Sequence, residues 1–466
     1  MKRKIAALLL AAAVVLVSAA GCAAGQEIGG YTPETYGESE LVRGGFWAPD
    51  RTAEAYAQYK AAGFNTLLFV RHDQSSTAAA KANNYYLGSS ATAEALELCR
   101  AVGLKAYLNY GRWEATTAGD SVSPALLEQT AAGIYAPYIA DGTVIGMHMG
   151  DEPYKSDIDE WLGEDALAEA FAEGYAGGRF FANLHPWIFF NNNNGFGMGL
   201  NATYADYVNY YADNVLAEVP EESRLLSVDV YPYTKDGLEP LWLATYETVA
   251  NAALGCGAGT GFYMQAQLSE EGTYSKELTY ADMRMQAYTA LAYGAEQLLF
   301  YCYTCPDGHG YEYCMLDPGG APSPYYSLVQ QINAELAAFE NVYTAYEYTG
   351  TFPVLSGQND DVNLQLLENR PDYTDMLYLT SVTADKGILV GTFAREGGEA
   401  YMLVNFGDTA AGQAAEVCLA LRGSNFAALY GKNGAGANEA VVRGENGTFT
   451  FTLEAGEGLF VVPLGA

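Results

Sequence analysis

His148-Met149-Gly150-Asp151-Glu152-Pro153 sets two adjacent carboxylates where an apolar run, Val144 to Met149, comes to an end. Carboxyl groups give and take protons, and at the carboxyl end of a buried strand they stand where barrel folds carry out their chemistry. Side chains alternate along a strand, so His148, Gly150 and Glu152 are expected on one face and Asp151 on the other. Pro153 cannot continue the ladder. Glu152, beside a second negative charge, suits a proton donor assisted by Asp151. A structural alternative is an ion-paired or helix-capping pair ahead of a proline.

A parallel barrel is the scaffold that would use such a pair. From Leu41 to about Ala345, short β-type apolar runs alternate with longer segments of helical period. Eight strands are predicted: Arg43–Ala48, Asn65–Arg71, Lys105–Tyr110, Val144–Gly150, Arg179–His185, Leu225–Tyr231, Thr260–Gln265 and Gln297–Tyr303. Helical stretches include Thr52–Ala62, Ala91–Val102, Pro124–Ile139 and Tyr280–Tyr293, three of them followed by Gly63, Gly103 and Gly294. About 300 residues for eight units fits a (β/α)8 TIM barrel, spanning 41–345. A doubly wound open sheet is the alternative, but it would gather polar groups at one switch point. Here they follow nearly every strand: Trp47; Arg71 and His72; Asn109 and Trp113; His148 and Glu152; Asn183 and His185; Asp229 and Tyr231; Gln265 and Gln267; Tyr303 and His309. All four histidines of the chain fall in this set.

Residues 346–466 change to a period of two, with candidate strands Met376–Leu379, Gly387–Thr392, Ala400–Val404, Ala415–Leu421 and Gly458–Val462, so a C-terminal all-β sandwich domain is expected. In the fifth βα loop, Asn191–Asn194 followed by Gly195-Phe196-Gly197-Met198-Gly199 reads either as a lid beside the site or as a disordered insertion.

Cleaving a glycosidic bond needs a proton donor at the leaving oxygen and a second group to meet the positive charge growing at the anomeric carbon. Glu152 fits the first role, and Asp229, after the sixth strand, is the better-placed second carboxylate. Trp47, Trp113 and Trp187 follow strands one, three and five and could stack on pyranose rings, extended by Tyr231, Tyr233 and Tyr303. His148, Asn183, His185, Gln265 and Gln267 are the candidate partners for sugar hydroxyls.

Gly150-Asp151-Glu152-Pro153 resembles the Asn-Glu-Pro signature of clan A glycoside hydrolases, in proteins similar to barrel β-galactosidases; Asp229-Val230-Tyr231-Pro232-Tyr233 and Phe300-Tyr301-Cys302-Tyr303 extend the likeness. The resemblance implies Glu152 as acid/base. It also implies a nucleophilic glutamate ending the seventh strand, where this chain has Tyr263-Met264-Gln265-Ala266-Gln267, with Glu270 and Glu271 only in the loop beyond. His148-x-Gly150-Asp151-Glu152 also resembles the motif of substrate-assisted hexosaminidases, with one glycine fewer, in which the aspartate orients the substrate's own acetamido group. A third reading is a glycan-binding surface protein whose nucleophile has been lost.

Lys2, Arg3 and Lys4 precede an apolar segment, Ile5 to Val17, then Ser18-Ala19-Ala20-Gly21-Cys22. This reads as an export signal over 1–21, and its end resembles the lipobox of bacterial lipoproteins, with Cys22 as the lipidated residue and 22–40 as a tether. An extracytoplasmic, membrane-anchored protein is expected. The formal charge of −33 becomes −36 without residues 1–21, which argues against nucleic acid as a partner and fits an oligosaccharide or polysaccharide substrate. Cys302, Cys305, His309 and Cys314 have the composition of a zinc site, but outside the cytoplasm a disulfide between Cys305 and Cys314 is the simpler expectation, so neither metal nor cofactor is assigned.

Overall fold

The computed structural model describes residues 36–71, 77–123, 125–126, 129, 133–162, 178–306, 308–431 and 440–464. The export signal, Cys22, most of the tether and His72 lie outside them. Among the described residues no helix is long and apolar enough to cross a membrane. Residues Glu38–Ala466 make one compact unit.

Eight strands form the barrel: β1 Val42–Gly45, β2 Thr66–Leu68, β3 Lys105–Asn109, β4 Val144–Asp151, β5 Arg179–Leu184, β6 Leu225–Asp229, β7 Gly259–Gln265 and β8 Ala295–Tyr301. They pair in parallel in the order β1-β8-β7-β6-β5-β4-β3-β2. The β1–β2 seam closes through isolated bonds: Asn65 N donates to Arg43 O (3.1 Å) and Ala48 N to Val70 O (3.0 Å). Between these, the Tyr59 hydroxyl accepts from Gly45 N (2.6 Å) and donates to Thr66 O (2.8 Å), carrying the ladder across the gap. Gly44 makes room, since a Cβ there would stand 2.7 Å from Thr66 O. The barrel interior is filled by Leu68, Tyr107, Phe181, Leu225, Tyr263 and Leu299, a packed core and not a pore.

The second predicted helix begins and ends as its sequence dictates. Ser89 caps Ser90–Val102 by accepting from Thr92 N, and Gly103, at φ 70°, ends it in the left-handed region. The continuous helix expected over Pro124–Ile139 is corrected: residues 133–135 turn, and a short helix, Ala136–Ala140, follows with proline in its first turn.

Nine further strands build the C-terminal part: β9 Glu347–Val354, β10 Leu379–Ala384, β11 Ile388–Arg395, β12 Gly398–Asn405, β13 Ala415–Leu421, β14 Phe426–Tyr430, β15 Ala440–Arg443, β16 Thr448–Leu453 and β17 Gly458–Leu464. A six-stranded sheet, β9-β11-β12-β17-β14-β15, faces a three-stranded one, β10-β13-β16. Val390, Leu403 and Val461 of the first pack with Val417, Leu419 and Phe451 of the second in one core. The helix Tyr280–Ala292, begun by a capping box of Thr279 and Asp282, is buried on every face from Asp282 onward. It serves as a shared wall between barrel and sandwich. The turn Gly456-Glu457-Gly458 docks on it so closely that a Cβ at Gly456 would lie 2.1 Å from Ala281 O. Glu457, fully buried, sits 3.4 Å from Arg284 of that helix, and Glu335 sits 3.3 Å from the same guanidinium. One positive charge therefore serves two carboxyls, and burial followed by the charge of Glu457 pushes Glu335 up to about 8.

Candidate active site

Local geometry at the end of β4 departs from simple alternation. Register with β5 pairs His148 with Phe181 and Asp151 with Asn183, so three steps on β4 match two on β5. This is a bulge. Phe181 and Asn183 share a face, and their partners His148 and Asp151 therefore share it too, which corrects the expectation that Asp151 opposes His148. Glu152 then takes a left-handed backbone, φ 48°, its N–H donating to Asn183 O at 2.8 Å. The Tyr207 hydroxyl accepts from His185 N (3.3 Å) and donates to Pro153 O (2.7 Å), locking the two strand ends together.

Below the carboxyls lies a neutral layer. Asn109 Nδ2 donates to Tyr85 O (3.2 Å), which turns Asn109 Oδ1 toward His148 Nδ1 at 3.4 Å. His148 accordingly carries its proton on Nδ1, leaving Nε2 a buried acceptor with no hydrogen-bond partner. Burial drives its pKa down to about 3, so the ring is neutral at ordinary pH. Asn183 is the hub of the next layer: Nδ2 donates to Asp151 Oδ1 (3.0 Å) while Oδ1 accepts from Ser227 Oγ (3.4 Å).

Crowding by protein and then the charge of Glu152 push Asp151 up to about 7. It keeps an open face toward solvent, which tempers that rise. Asp229, closing β6, is 5% exposed, and its Oδ1 has no hydrogen-bond partner. Burial, then the charges of Glu152 and Asp151, raise it well above the carboxylate range. Glu114 joins the group; burial raises it as well, and its charge reaches Asp151. Sequence reasoning missed Glu114. The available signal was its place in the helix Arg112–Thr117, directly after β3 and beside Trp113.

A cavity of about 510 Å³ opens on the β3–β4 side of the mouth, lined by Phe46, Trp47, Asn109, Trp113, Glu114, His148, Asp151 and Trp161. Glu152 stands outside that lining. Larger cavities of about 860 and 700 Å³ lie elsewhere, one at the amino-terminal ends of the strands beside Val42, Arg179 and Gly259, the other between the Tyr233–Leu238 hairpin and the sandwich. Barrel chemistry belongs to the carboxyl ends, and the smaller cavity is the one lined by two raised carboxyls, Asp151 and Glu114. Trp113 is 52% exposed, whereas Trp47 is nearly buried at φ 62°. Among the described residues, the positive-φ residues other than glycine and asparagine are Trp47, Glu152 and Phe196, all at this end of the barrel. Such conformations are costly and gather where function requires them.

Glu152 Oε1 lies 3.4 Å from His185 Nδ1, within ion-pair reach but without hydrogen-bond alignment. His185 is held by Phe196, stacked at 4.2 Å and 11°, and by the edge of Tyr154. Asn191–Gly197 forms helical turns anchored by the buried Gly195 and Phe196, rather than a disordered insertion. Tyr231 remains at the mouth, tilted against Tyr301 at 5.1 Å.

Several expected sugar contacts are corrected. Gln265 is fully buried, and its amide accepts from Tyr233 N (2.9 Å) and donates to Tyr233 O (3.0 Å), so it fastens the Tyr233 backbone instead of facing a ligand. Gln267 is buried with its Oε1 accepting from Ala266 N. Tyr233 lies under Lys276 at 4.2 Å and lines the hairpin cavity, away from the mouth. Tyr303 is buried against Tyr59 and Phe64. Trp187 stacks on Tyr204 at 5.4 Å, so one of its faces is taken. Glu270 and Glu271 are exposed loop residues. Among the described residues no three His, Cys, Asp or Glu side chains could hold a metal. The expected Cys305–Cys314 disulfide is not formed; Cys314 Sγ instead lies 3.1 Å from Cys302 Sγ.

No protein-family model matches the chain, and no curated protein matches it either. Among solved structures it is similar to a β-galactosidase from Bacillus circulans sp. alkalophilus, with a TM-score of 0.55 at 9% identity over 91% of this chain and 99% of that one. More distant likenesses are a glycoside hydrolase family 30 subfamily 8 xylanase from Clostridium acetobutylicum (TM-score 0.43, 10% identity, 91% and 95% covered) and a GH30 endoxylanase from Clostridium papyrosolvens C71 (0.40, 13%, 91% and 95%). At such identity the first of these speaks for the fold alone: a TIM barrel with an added β-domain.

Proposed function

We propose that the chain is a glycoside hydrolase that cleaves O-glycosidic bonds of an extracellular carbohydrate. The observation that carries this reading is the convergence of Asp151, Glu152 and Asp229 at the carboxyl ends of β4 and β6, beside an aromatic cavity. Glu152 serves as acid/base: its carboxyl is half-exposed at the rim of the site, 3.4 Å from His185 Nδ1. Asp151, fixed by Asn183 and facing the cavity, assists it. Asp229 is the second carboxyl of the group, meeting positive charge at the anomeric carbon once its proton has passed to a neighbouring carboxylate or to solvent. Trp113 supplies the sugar platform and Trp47 its inner edge. The family likeness of Gly150-Asp151-Glu152-Pro153 and the fold shared with a β-galactosidase support the same assignment. The export signal and Cys22 support display as a lipid-anchored surface protein.

The test is turnover of a panel of aryl glycosides and polysaccharides by the chain from Ala23 onward, beside Glu152→Gln. A loss of about 10²–10⁴-fold in the variant is expected. Sugar binding without turnover in either protein would point to a glycan-binding protein instead.

One observation favours a substrate-assisted variant of this chemistry. β7 ends in Gln265, whose amide is spent on Tyr233, so no carboxylate stands where a strand-seven nucleophile would be. Asp151 could then orient a 2-acetamido group whose oxygen attacks the anomeric carbon. Turnover of 2-acetamido glycosides with none of their 2-hydroxy counterparts would select that route.

A further inference from the structure

Cys302 directly follows β8, and Cys314 directly follows the short strand Tyr311–Tyr313. The two segments run side by side: Met315 N donates to Cys302 O (3.1 Å) and Leu316 N to Tyr303 O (2.9 Å). Neighbouring strands hold their Cα atoms about 4.5–5.5 Å apart, inside the range of about 4.4–6.8 Å that a disulfide spans. Both side chains are fully buried, and their sulfurs already stand 3.1 Å apart. Cys305, three residues on, is half-buried and so the most reachable thiol of the group. We propose that Cys302 and Cys314 are a disulfide pair, with Cys305 outside the bond.

The oxidant is a disulfide-bearing oxidase or a small disulfide. Cys302 and Cys314 together give up two protons and two electrons, one S–S bond forms between them, and the oxidant's S–S bond is reduced to two thiols. The bond closes the segment that carries His309 and Tyr311. Those rings stack at 5.8 Å, His309 meets the edge of Trp47 at 6.2 Å, and Tyr311 Oη lies 3.2 Å from Tyr301 Oη. The bond would therefore fasten the loop that backs Trp47, one wall of the cavity. This inference stands whether or not the chain hydrolyses glycosides.

The experiment is peptide mapping of the purified full chain after equilibration with glutathione disulfide and alkylation of the remaining thiols. A single bridge between Cys302 and Cys314, with Cys305 alkylated, is expected. A bridge to Cys305, or alkylation of all three residues, would overturn the proposal. Reduction with dithiothreitol should lower Tm by roughly 3–6 °C in the wild type and in Cys305→Ser alike. An unchanged Tm in the wild type would equally count against it.

Discussion

Replacing Asp229 by Asn should make this protein more stable and less active, and the gain should depend on pH. Asp229 is 5% exposed, one oxygen has no hydrogen-bond partner, and two further carboxyls bear on it. Its folded pKa is raised above the ordinary 3.8, so the folded chain holds a proton that the unfolded chain releases. Below the unfolded value both states are protonated and no penalty exists. As pH rises from there toward the folded pKa, stability falls by about 1.4 kcal/mol per pH unit for each proton retained. Over the interval from pH 4.5 to 7 this sets a ceiling of roughly 3.4 kcal/mol. Relaxation, and the need of an Asn amide for acceptors, reduce the expected gain to about 1–3 kcal/mol at pH 7, or roughly 2–6 °C in Tm. Scanning calorimetry of both proteins from pH 4 to 8 is the assay, with the two curves meeting near pH 4 and separating above it. A gap that does not change with pH, or a variant less stable at pH 7, would refute the electrostatic argument. Activity should fall at least about 100-fold in the same variant; full activity with raised stability would remove Asp229 from the reaction.

Other substitutions probe the surrounding layers. Asn183→Ala frees the Asp151 carboxyl and leaves Ser227 Oγ without its acceptor, so kcat should fall more than KM changes, with about 1–3 kcal/mol lost in urea unfolding. Trp113→Ala removes an exposed ring and should leave stability within about 0.5 kcal/mol while raising KM by roughly tenfold on whichever glycoside is turned over. Tyr59→Phe deletes the hydroxyl bridging Gly45 N and Thr66 O, and should cost about 1–3 kcal/mol with faster amide exchange at the β1–β2 seam. Glu457→Gln disturbs the buried Arg284 pair and should destabilise by roughly 2–4 kcal/mol; Arg284 is left with Glu335 alone, so calorimetry should also find a weaker loss of stability between pH 4.5 and 8.

The barrel was legible because each of its strands is a short buried run bounded by turn residues, and all eight predicted strands overlap the observed ones. In the sandwich, alternation was weaker evidence. Thr448–Leu453 alternates exposed and buried residues yet was passed over, while Met376–Leu379 was placed a few residues early. At the site, residue types were readable but directions were not. The bulge that turns Asp151 inward depends on β5 pairing, which no local pattern of β4 encodes. Gln265 and Tyr303 carry suitable chemistry at suitable positions, and only tertiary packing reveals that one is bonded to Tyr233 and the other buried against Tyr59. Glu114 was not legible because it reaches the site from the first helical turn after β3, beyond the strand end.

The bulge also explains how two neighbouring carboxylates can hold different roles. On a regular strand Asp151 and Glu152 would point to opposite faces, and only one could enter the mouth. The extra residue brings Asp151 onto the inner face with His148, where Asn183 fixes it. The left-handed turn at Glu152 then swings the next carboxyl toward His185 at the rim. Its backbone strain, of order 1 kcal/mol, is offset by the hydrogen bond from Glu152 N to Asn183 O and by the Tyr207 hydroxyl spanning His185 N and Pro153 O. Asn183 thus orients one carboxyl through its side chain and the other through its carbonyl. A variant such as Tyr207→Phe should accordingly disturb Glu152 while leaving Asp151 in place: activity falls, but an Asp151-dependent pH limb above the ordinary carboxylate range persists. Loss of that limb together with the activity would mean that the two carboxyls form a single unit and that the division of roles is mistaken.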